Sequence, residues 1–388
     1  MAPKTKVLYL IERLARAGTE LHLLRLMERL DKDRFEVVLC CLSEKMTDSS
    51  LIPEGVRCHL LNAGWNLLRP GSIPLFFKLR RIIRDESPDI LHSFLFVSNV
   101  LAPFAVSRRH VKGVVISRGR MGIEWQAGRL HRFLQIKADH RADVITCKTE
   151  AMRREIAQVE KTSFDKVRVV PNGVDLKYFQ FQAGRVGESR KALEKDYGIS
   201  AEGPMLLAVG NLKPIKGHQY LIKATKELIL HMPRVQVAIL GDGESREELE
   251  QAIKSNGLES NVHLPGAVDD VRPWLRAADL FVAPSLSEGL PNAMLEAMAM
   301  GLPLVLSRIP GHEEVARTEA WYFEAGDALN LSEVLREALE SPQKRAEMGT
   351  AMAQRAREEY SVAAMIQKME NIYTELLLQN IGLEGGAK

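Results

Sequence analysis

The sequence predicts an α/β protein in which two domains are each built around a parallel β-sheet. Its length is the first reason, because 388 residues exceed what one hydrophobic core usually fills and suit two domains. The second reason is the repeated alternation of short apolar runs with helical segments, which is typical of parallel sheets. The third is a globular composition, with 46% hydrophobic and 27% charged residues.

The first half begins with the apolar run Lys6–Ile11, a loop, a helical pattern over Leu21–Leu30 and an apolar run over Phe35–Cys41. A strand, a loop, a helix and a second strand in this order open a parallel sheet. A later segment, Ser87–His92, is predicted as a strand that ends at its histidine. His92 is therefore expected at the carboxyl tip of a strand, where open α/β sheets place their ligands.

The second half repeats this arrangement from the apolar run Met205–Val209 onward. The run is followed by the loop G-N-L-K-P-I-K-G and by a helix from about Tyr220. Such a loop is suited to holding phosphate, because backbone N–H groups and lysine ammonium groups both favour anions. Lys216 is the candidate cation of this loop.

The stretch Pro284–Pro303 carries two glutamates, Glu288 and Glu296, eight positions apart. Gly289 suits a tight turn, and Pro291 suits the first turn of a helix. We predict a strand, a loop that carries Glu288 and a helix that carries Glu296, with the free N–H groups of the helix start facing the loop. This arrangement suits a phosphate and a sugar diol. The alternative is a buried helix whose two carboxylates are there by chance.

A turn over Pro171–Gly173 separates the two halves. We place the first domain at residues 1–180 and the second at residues 190–363. The intervening segment Gln182–Ser189 is predicted to be a linker.

The two halves differ in charge although the whole chain carries only +3. Residues 1–180 hold about 31 lysines and arginines against about 20 acidic residues, which leaves the remainder with a net charge of about −8. A basic first half indicates an anionic partner. No nucleic-acid module with interleaved aromatic residues is visible, so an anionic membrane face or a lipid-linked phosphate is favoured over nucleic acid.

The four cysteines lack the spacing of a metal site or a disulfide framework. Cys40 and Cys41 are adjacent in an apolar run, and Cys58 and Cys147 stand alone, so we expect reduced structural thiols. No His/Cys cluster with metal-ligand spacing is present, and no metal is expected. The start of the chain lacks the pattern of a signal peptide, and no run reaches about 18 apolar residues. We expect a cytoplasmic protein.

The segment Trp65–Arg84 has an amphipathic pattern. Its apolar positions after residue 72 fall on one helical face, and its basic side chains fall elsewhere. One interpretation is a helix packed on the sheet with a solvated basic side. The other is that part of this segment, including Trp65, Leu67, Leu68 and Arg69, rests on an anionic membrane.

The motif over Pro284–Pro303 resembles the E-x7-E signature of the retaining GT-B glycosyltransferases of family 4. The segment V-R-V-V-P-N-G-V-D, which ends at Asp175, resembles the family's I-P-N-G-V-D, and the similarity continues to Gly311. The resemblance implies the GT-B fold, in which two Rossmann-like domains face an interdomain cleft. It also implies that the last helix, at about 364–388, packs back on the first domain.

Several roles follow from this resemblance alone. In the family the first glutamate of the motif contacts the donor sugar, the second holds the nucleotide ribose, and the loop lysine binds the donor diphosphate; these positions are Glu288, Glu296 and Lys216. The resemblance extends donor binding to residues in loops that face the nucleotide: Gly18, Asn211, Gly241, Gly243, His263, Leu264, Gly289, Leu290, Pro291 and Asn292.

Two first-domain residues are further catalytic candidates. His92 matches the family's D-x-x-H-x-H region, and Arg118 follows the position at which many relatives carry a histidine that positions the sugar. Arg118 and Arg120 are expected either to hold an acceptor phosphate or to be surface arginines in a loop.

The resemblance predicts a retaining transferase that moves a sugar from a nucleotide-diphosphate donor, with uridine as the commonest base, to an acceptor hydroxyl. A lipid-linked glycan or lipopolysaccharide precursor at the inner face of the membrane is the favoured acceptor. The nucleotide sugar is a substrate, and no cofactor is expected. The alternatives are a GT-B nucleotide-sugar epimerase and a non-catalytic nucleotide-sugar-binding protein. A dinucleotide oxidoreductase is disfavoured because G-x-G-x-x-G is absent.

Overall fold

The computed structural model describes residues 3–15, 18–62, 72–107, 111–119, 128–180 and 185–384. The chain divides into two compact units, which we call unit 1, Met1–Asn172 with Val362–Lys388, and unit 2, Gly173–Ser361. The division lies within the P-N-G turn, several residues before the boundary at 180 that the sequence analysis proposed. The proposed linker is partly wrong, since a helix begins at Val186.

The described residues form thirteen strands and fourteen α-helices. The strands are β1 Thr5–Ile11, β2 Phe35–Cys41, β3 Arg57–Leu60, β4 Ile90–Phe94, β5 Gly113–Ser117, β6 Val144–Cys147, β7 Val167–Val169, β8 Met205–Val209, β9 Gln236–Leu240, β10 Val262–Gly266, β11 Leu280–Ala283, β12 Leu304–Ser307 and β13 Trp321–Phe323. The helices are α1 Gly18–Arg29, α2 Ser72–Glu86, α3 Phe96–Ala105, α4 Arg129–Arg141, α5 Glu150–Val159, α6 Val186–Tyr197, α7 His218–Leu228, α8 Arg246–Ser255, α9 Arg272–Ala277, α10 Asn292–Ala299, α11 Pro310–Ala316, α12 Ala328–Glu340, α13 Pro342–Glu359 and α14 Val362–Glu384.

Each unit is built around one parallel sheet. The strand order is β3-β2-β1-β4-β5-β6-β7 in unit 1 and β10-β9-β8-β11-β12-β13 in unit 2. In each unit the chain begins with a central strand, adds strands outward on one side of it and then returns to add the strands on the other side. The predicted α/β class with two doubly wound sheets is confirmed. Ligands of such sheets bind at the carboxyl ends of the strands where the order reverses, beside β1 and β4 in unit 1 and beside β8 and β11 in unit 2.

Unit 1 buries both faces of its sheet, which is why β1 is an almost continuous apolar run. Leu8 and Leu10 pack with α2, α3 and α4 on one face. Val7 and Tyr9 pack with α1 and α14 on the other face, where α14 contributes a buried stripe of side chains. The last helix is therefore part of the core of unit 1, although it follows unit 2 in sequence.

Unit 2 has one continuous core that includes the helix after β11. The buried side chains of α10 lie in this core. Helix α13 lies close to the end of α10, because a Cβ atom at Gly349 would stand only 2.1 Å from the carbonyl oxygen of Gly301. This packing holds α10, which carries Glu296, against the sheet.

Two properties of the whole chain bear on later conclusions. All four cysteines are free, and Cys40, Cys41 and Cys147 are buried. Within the described ranges, no helix combines the length and the apolar character needed to cross a membrane.

Candidate active site

The loop after β8 brings Lys216 to the carboxyl edge of the unit 2 sheet. The chain forms a short 3₁₀ turn over Pro214–Lys216 and enters α7 through Gly217, which has a φ of 66°. A Cβ atom at Gly217 would lie 2.0 Å from the carbonyl oxygen of Pro284. Glycine is therefore required at position 217 both for the backbone angle and for the close approach of the loops after β8 and β11.

The loop after β11 carries the acidic partner of this lysine. The Lys216 ammonium group donates a hydrogen bond to Glu288 Oε1, and the Ser285 hydroxyl donates to the same oxygen at 3.0 Å. The side chains of Lys216 and Glu288 are 23% and 14% exposed. Both groups are held in position and remain accessible to a ligand.

A buried layer beneath the loop supports this pair. Ser307 on β12 donates to the carbonyl oxygen of Ser285 at 2.6 Å, and His312 Nδ1 lies 3.0 Å from the carbonyl oxygen of Ser307. Burial lowers the pKa of His312 and favours the neutral ring. A Cβ atom at Gly311 would stand 2.6 Å from the carbonyl oxygens of Glu288 and Gly289, so α11 approaches the loop closely.

Helix α10 begins immediately after this loop. It starts at Asn292 with Pro291 in the cap position, and no side chain caps its first N–H groups. The partial positive charge of a helix start favours anions. Glu296 lies half-buried on the second turn of this helix. The predicted order of strand, loop with Glu288 and helix with Glu296 is present.

The loop after β9 completes the edge. A Cβ atom at Gly241, which has a φ of 134°, would lie 2.0 Å from the carbonyl oxygen of Gly210. A Cβ atom at Gly243 would lie 2.5 Å from the carbonyl oxygen of Leu212. Both glycines therefore serve close packing between the loops after β8 and β9.

The remaining predicted donor residues of unit 2 lie on the loop after β8, on strand β10 and on the loop before α10. Asn211 is exposed on the loop after β8. His263 is on the edge strand β10, where its Nε2 lies 2.8 Å from Gln236 Oε1 and burial lowers its pKa. The carbonyl group of Leu264 faces Arg246 at 3.5 Å. Leu290 is buried in the core of unit 2.

In unit 1 the structure assigns His92 a different role from the predicted catalytic one. The ring is fully buried, with Nδ1 2.6 Å from the Tyr373 hydroxyl and Nε2 2.8 Å from Ser117 Oγ. Both nitrogens are engaged by α14 and β5, so neither is left for a substrate. His92 joins the last helix to the sheet, and the catalytic prediction for it is corrected to this structural role.

The prediction for Arg118 is corrected in the same way. Its guanidinium group is buried and donates to Asp139 at 2.9 Å and to both carboxylate oxygens of Glu160 at 2.9 and 3.0 Å. Burial opposes ionisation of Arg118, but these two carboxyl groups outweigh it and raise its pKa. Burial raises the pKa of Asp139, whereas the hydrogen bonds that Glu160 receives lower its own pKa. Arg118 is fully paired inside unit 1 and does not present its charge to an acceptor.

Gly18 is the first residue of α1, at the carboxyl edge of the unit 1 sheet. Arg120 and the segment with Trp65, Leu67, Leu68 and Arg69 lie outside the described residues.

Comparison with known proteins identifies the class of this site. The model of group 1 glycosyl transferases matches residues 203–341, and the model of glycosyltransferase family 4 matches residues 16–178. The chain belongs to glycosyltransferase family 4. Its two matched regions correspond to the two sheets, and the first of these models spans Lys216, Glu288 and Glu296.

Individual relatives agree with this assignment. The glycosyltransferase is 27% identical to an Escherichia coli UDP-Gal:alpha-D-GlcNAc-diphosphoundecaprenol alpha-1,3-galactosyltransferase, over 78% of this chain and 79% of that protein. It is also 27% identical to an uncharacterized glycosyltransferase of Methanocaldococcus jannaschii, over 59% of this chain and 58% of that protein.

Solved structures show the same fold. Anabaena Alr3699/HepE in complex with UDP has a TM-score of 0.82 and 19% identity, covering 96% of this chain and all of that one. The same protein in complex with UDP-glucose has a TM-score of 0.81. The GT-B architecture of the glycosyltransferase is thereby established.

Sequence reasoning missed the buried support of the site. The sequence analysis assigned no role to Ser285, Ser307 or His312. The one available signal was a histidine two residues after Pro310, at the start of a helix that follows a strand. Among the described residues, no group of three or more histidine, cysteine or acidic side chains is arranged to hold a metal ion.

Proposed function

We propose that this glycosyltransferase moves a sugar from a UDP-linked donor to a hydroxyl group of a lipid-linked glycan, with retention of anomeric configuration. The observation that carries the proposal is the Lys216–Glu288 pair, which lies beside the uncapped start of α10 at the reversal point of the unit 2 sheet. A cation, a helix start and a carboxylate together suit a diphosphate with a sugar attached.

In this proposal, unit 2 stabilises the departing diphosphate. Negative charge grows on the phosphate oxygens as the glycosidic bond breaks. Lys216 and the N–H groups at the start of α10 would receive that charge, and donors fixed in advance are usually the largest catalytic contribution. Glu288 would be released from Lys216 to bind the sugar hydroxyl groups, while the Ser285 hydroxyl keeps its carboxylate in place.

Glu296 has a separate role in the proposal. It lies on the second turn of α10, away from the loop that carries Glu288, and its carboxylate would accept hydrogen bonds from the ribose diol. The uridine base is supported by the UDP donor in the name of the Escherichia coli relative and by the UDP complexes of the Anabaena protein. We propose that no metal is needed, because the ammonium group and the helix start balance the diphosphate.

The lipid-linked acceptor is supported by the surface of unit 1. Helices α2, α3 and α4 cover the same face of the sheet. Their outer side exposes large apolar residues, namely Ile73, Phe77, Phe104, Leu130 and Phe133. Exposed basic residues surround them, namely Lys78, Arg80, Arg81, Arg84, Arg129 and Lys137. Apolar side chains among basic ones suit the interface of an anionic membrane. We name this set of eleven side chains the basic-apolar face.

The test is incubation with labelled UDP-, GDP- and ADP-sugars and a membrane extract, with and without EDTA. Label transferred to an organic-soluble lipid or to a glycan supports the proposal, and NMR of the product reports whether the anomeric configuration is retained. Release of an isomerised free nucleotide sugar would instead assign the epimerase activity. Binding of a nucleotide sugar without turnover under any condition would leave a non-catalytic binding protein.

A further inference from the structure

A second buried cation lies at the carboxyl edge of the unit 1 sheet. Lys148 directly follows β6 and is only 5% exposed. The charge of Lys148 acts on two buried histidines, His92 on β4 and His22 on α1. The rings of His22 and His92 both pack against Phe94, with centroid distances of 6.2 and 4.3 Å, and with Lys148 they form one cluster near the edge at which parallel sheets bind their ligands.

This cluster lacks the counter-charge that a buried cation normally has. Across the described ranges, no carboxylate forms an ion pair with Lys148, and no acceptor lies within hydrogen-bonding distance of its ammonium group. His22 is 1% exposed, and its ring nitrogens form no hydrogen bond of normal geometry there, although the Asn172 side chain acts on the ring as a weak hydrogen-bonding neighbour. Asn172 lies near enough to His22 to favour its protonated form.

Arg118 is a buried cation of the same unit that has a structural role and provides a comparison for Lys148. Arg118 is as deeply buried as Lys148, yet it donates three hydrogen bonds to Asp139 and Glu160. Burial of an unpaired charge is strongly unfavourable. Lys148, which remains buried without a carboxylate partner, is therefore expected to be completed by an anionic ligand, and His22 lies beside it with ring nitrogens that make no hydrogen bond of normal geometry.

We propose that Lys148 and His22 bind a phosphoryl group of the acceptor substrate. The proposal rests on the proposed function, which assigns the donor to unit 2 and leaves the acceptor for unit 1. A lysine ammonium group is a compact charge suited to phosphate, and an imidazole N–H supplies a second donor.

The pKa values of the cluster agree with a site whose lysine and histidines become protonated when an anionic ligand binds. Burial lowers the pKa of Lys148 to about 7. Burial and the charge of Lys148 lower the pKa values of His22 and His92, and Arg25 lowers that of His22 further. Cys147, the other titratable neighbour of Lys148, favours its charged form. An arriving phosphoryl group therefore draws a proton onto the cluster at neutral pH.

The kinetic test compares acceptors with and without phosphate. Lys148→Met is assayed with a polyprenyl-diphosphate sugar, a water-soluble sugar phosphate and a neutral alkyl glycoside, beside the exposed control Lys161→Met. We expect the KM for both phosphorylated acceptors to rise at least tenfold, with the donor KM and the KM for the neutral glycoside unchanged. A rise confined to the lipid acceptor assigns the site to a lipid diphosphate, whereas an equal rise for the neutral glycoside would overturn the proposal.

A binding test does not depend on transferase activity. The full chain carrying Lys216→Met, which removes the lysine of the donor site, is labelled with ¹³C at lysine Cε and titrated by NMR with and without inorganic diphosphate. The Lys148 signal is identified by its loss in Lys148→Met. We expect its pKa, about 7 in the free protein, to rise when diphosphate is added. An unmoved pKa would overturn the anion site, whatever the assays show. A moved pKa in the variant, with no transferase activity in the native chain, would instead reject the proposed function.

A conservative variant separates binding from folding. Lys148→Arg keeps the charge and is expected to recover acceptor KM to within about threefold of the native value. If Lys148→Met does not fold, Lys148→Arg alone provides the test. A folded Lys148→Arg that binds no diphosphate would then contradict the proposal.

Discussion

The two lysines at the carboxyl edges of the two sheets are in opposite electrostatic states. Lys216 in unit 2 is partly exposed and already paired with Glu288, which Ser285 holds in place. Lys148 in unit 1 is almost fully buried, and no carboxylate of the described residues pairs with it. The sheets share the same doubly wound order, so topology alone does not cause this difference. The side chains on the loops and helices around each edge cause it.

The difference indicates how each edge meets its ligand. In unit 2 the proposed ligand would replace an existing partner, and the loop that carries Glu288 is supported by Ser307, His312 and the close approach at Gly311. In unit 1 the ligand would supply the missing charge. Five substitutions test this comparison, and they are ordered from the largest expected change in free energy to the smallest.

Removing Arg118, the paired cation of unit 1, is expected to change the free energy of unfolding most. Arg118→Met leaves the Glu160 carboxylate buried without its partner, which typically lowers the free energy of unfolding by about 3–5 kcal/mol. Urea denaturation at pH 7 measures this loss, with Arg168→Met as a control, because Arg168 is 43% exposed and its nearest ion-pair contact is 3.6 Å. Equal stability of Arg118→Met and the native chain would mean that the three charged groups are not coupled in solution.

Removing Lys148, the unpaired cation of unit 1, is expected to raise the free energy of unfolding rather than lower it. The pKa of Lys148 falls from 10.5 in the unfolded chain to about 7 in the folded one. The unfolded state therefore binds more protons between these values, and stability rises with pH across this window. The penalty is complete below pH 7 and disappears near pH 10.5. At about 1.4 kcal/mol per pKa unit, the fall from 10.5 to about 7 corresponds to about 5 kcal/mol as an upper limit. Relaxation around a buried charge reduces this penalty, so we expect Lys148→Met to raise the free energy of unfolding by about 2–4 kcal/mol at pH 6.

The pH dependence is the decisive part of that measurement. The gain in Lys148→Met should shrink as the pH approaches 10, and the Lys161→Met control should show no gain at any pH. A gain that is constant with pH would reflect better packing by methionine rather than removal of a buried charge.

In unit 2, Lys216→Ala should raise the dissociation constant for UDP and for the UDP-sugar at least tenfold. The reason is the loss of a charge-assisted hydrogen bond of about 1.5–3 kcal/mol to the diphosphate. Isothermal titration calorimetry measures the affinity, with Lys226→Ala on the exposed side of α7 as the matched control. Unchanged affinity would rule out the assigned role of Lys216.

Glu296→Gln should weaken binding of free UDP by roughly five- to tenfold, because a hydrogen bond to a charged group contributes about 1.5–3 kcal/mol and the amide keeps part of it. The ribose contact does not involve the sugar, so UDP and UDP-sugar should lose the same factor in competition binding. A loss limited to the intact UDP-sugar would exchange the roles of Glu288 and Glu296.

The smallest effect concerns the basic-apolar face. Phe77→Ser removes one exposed aromatic side chain, 62% exposed, and should reduce binding to vesicles that contain phosphatidylglycerol several-fold. Leu230→Ser is the control, because Leu230 is 73% exposed but belongs to unit 2. Co-sedimentation with anionic and neutral vesicles measures the difference. Equal loss in the two variants would show that this face of unit 1 has no special affinity for membranes.

Much of the candidate site of unit 2 was predictable because its residues are close in sequence. Glu288, Gly289, Pro291 and Glu296 lie within one strand–loop–helix segment, where turn and helix preferences act over a few residues. Lys216 follows from the same local argument in another loop. Their hydrogen bond was not predictable, since it joins positions 72 residues apart. The buried support by His312 also went unnoticed, because nothing local distinguishes it from an ordinary helix-start histidine.

In unit 1 the same kind of argument failed for His92 and Arg118. His92 was expected at the tip of its strand, but it lies in the middle of β4, and its partners are Ser117 and Tyr373, the latter 281 residues away on the last helix. Arg118 was expected in a loop, and Glu160, 42 residues further on, buries and neutralises it. Lys148 attracted no prediction at all.

The sequence alone determined the two doubly wound sheets and the strand–loop–helix segment that carries the glutamates, because periodicity, turn residues and helix caps act over short distances along the chain. Only the tertiary structure decided which charges are neutralised and which stay unpaired. That depends on residues brought together from distant helices and strands, and the free energy of a buried charge is set by those neighbours and not by its own position in the sequence.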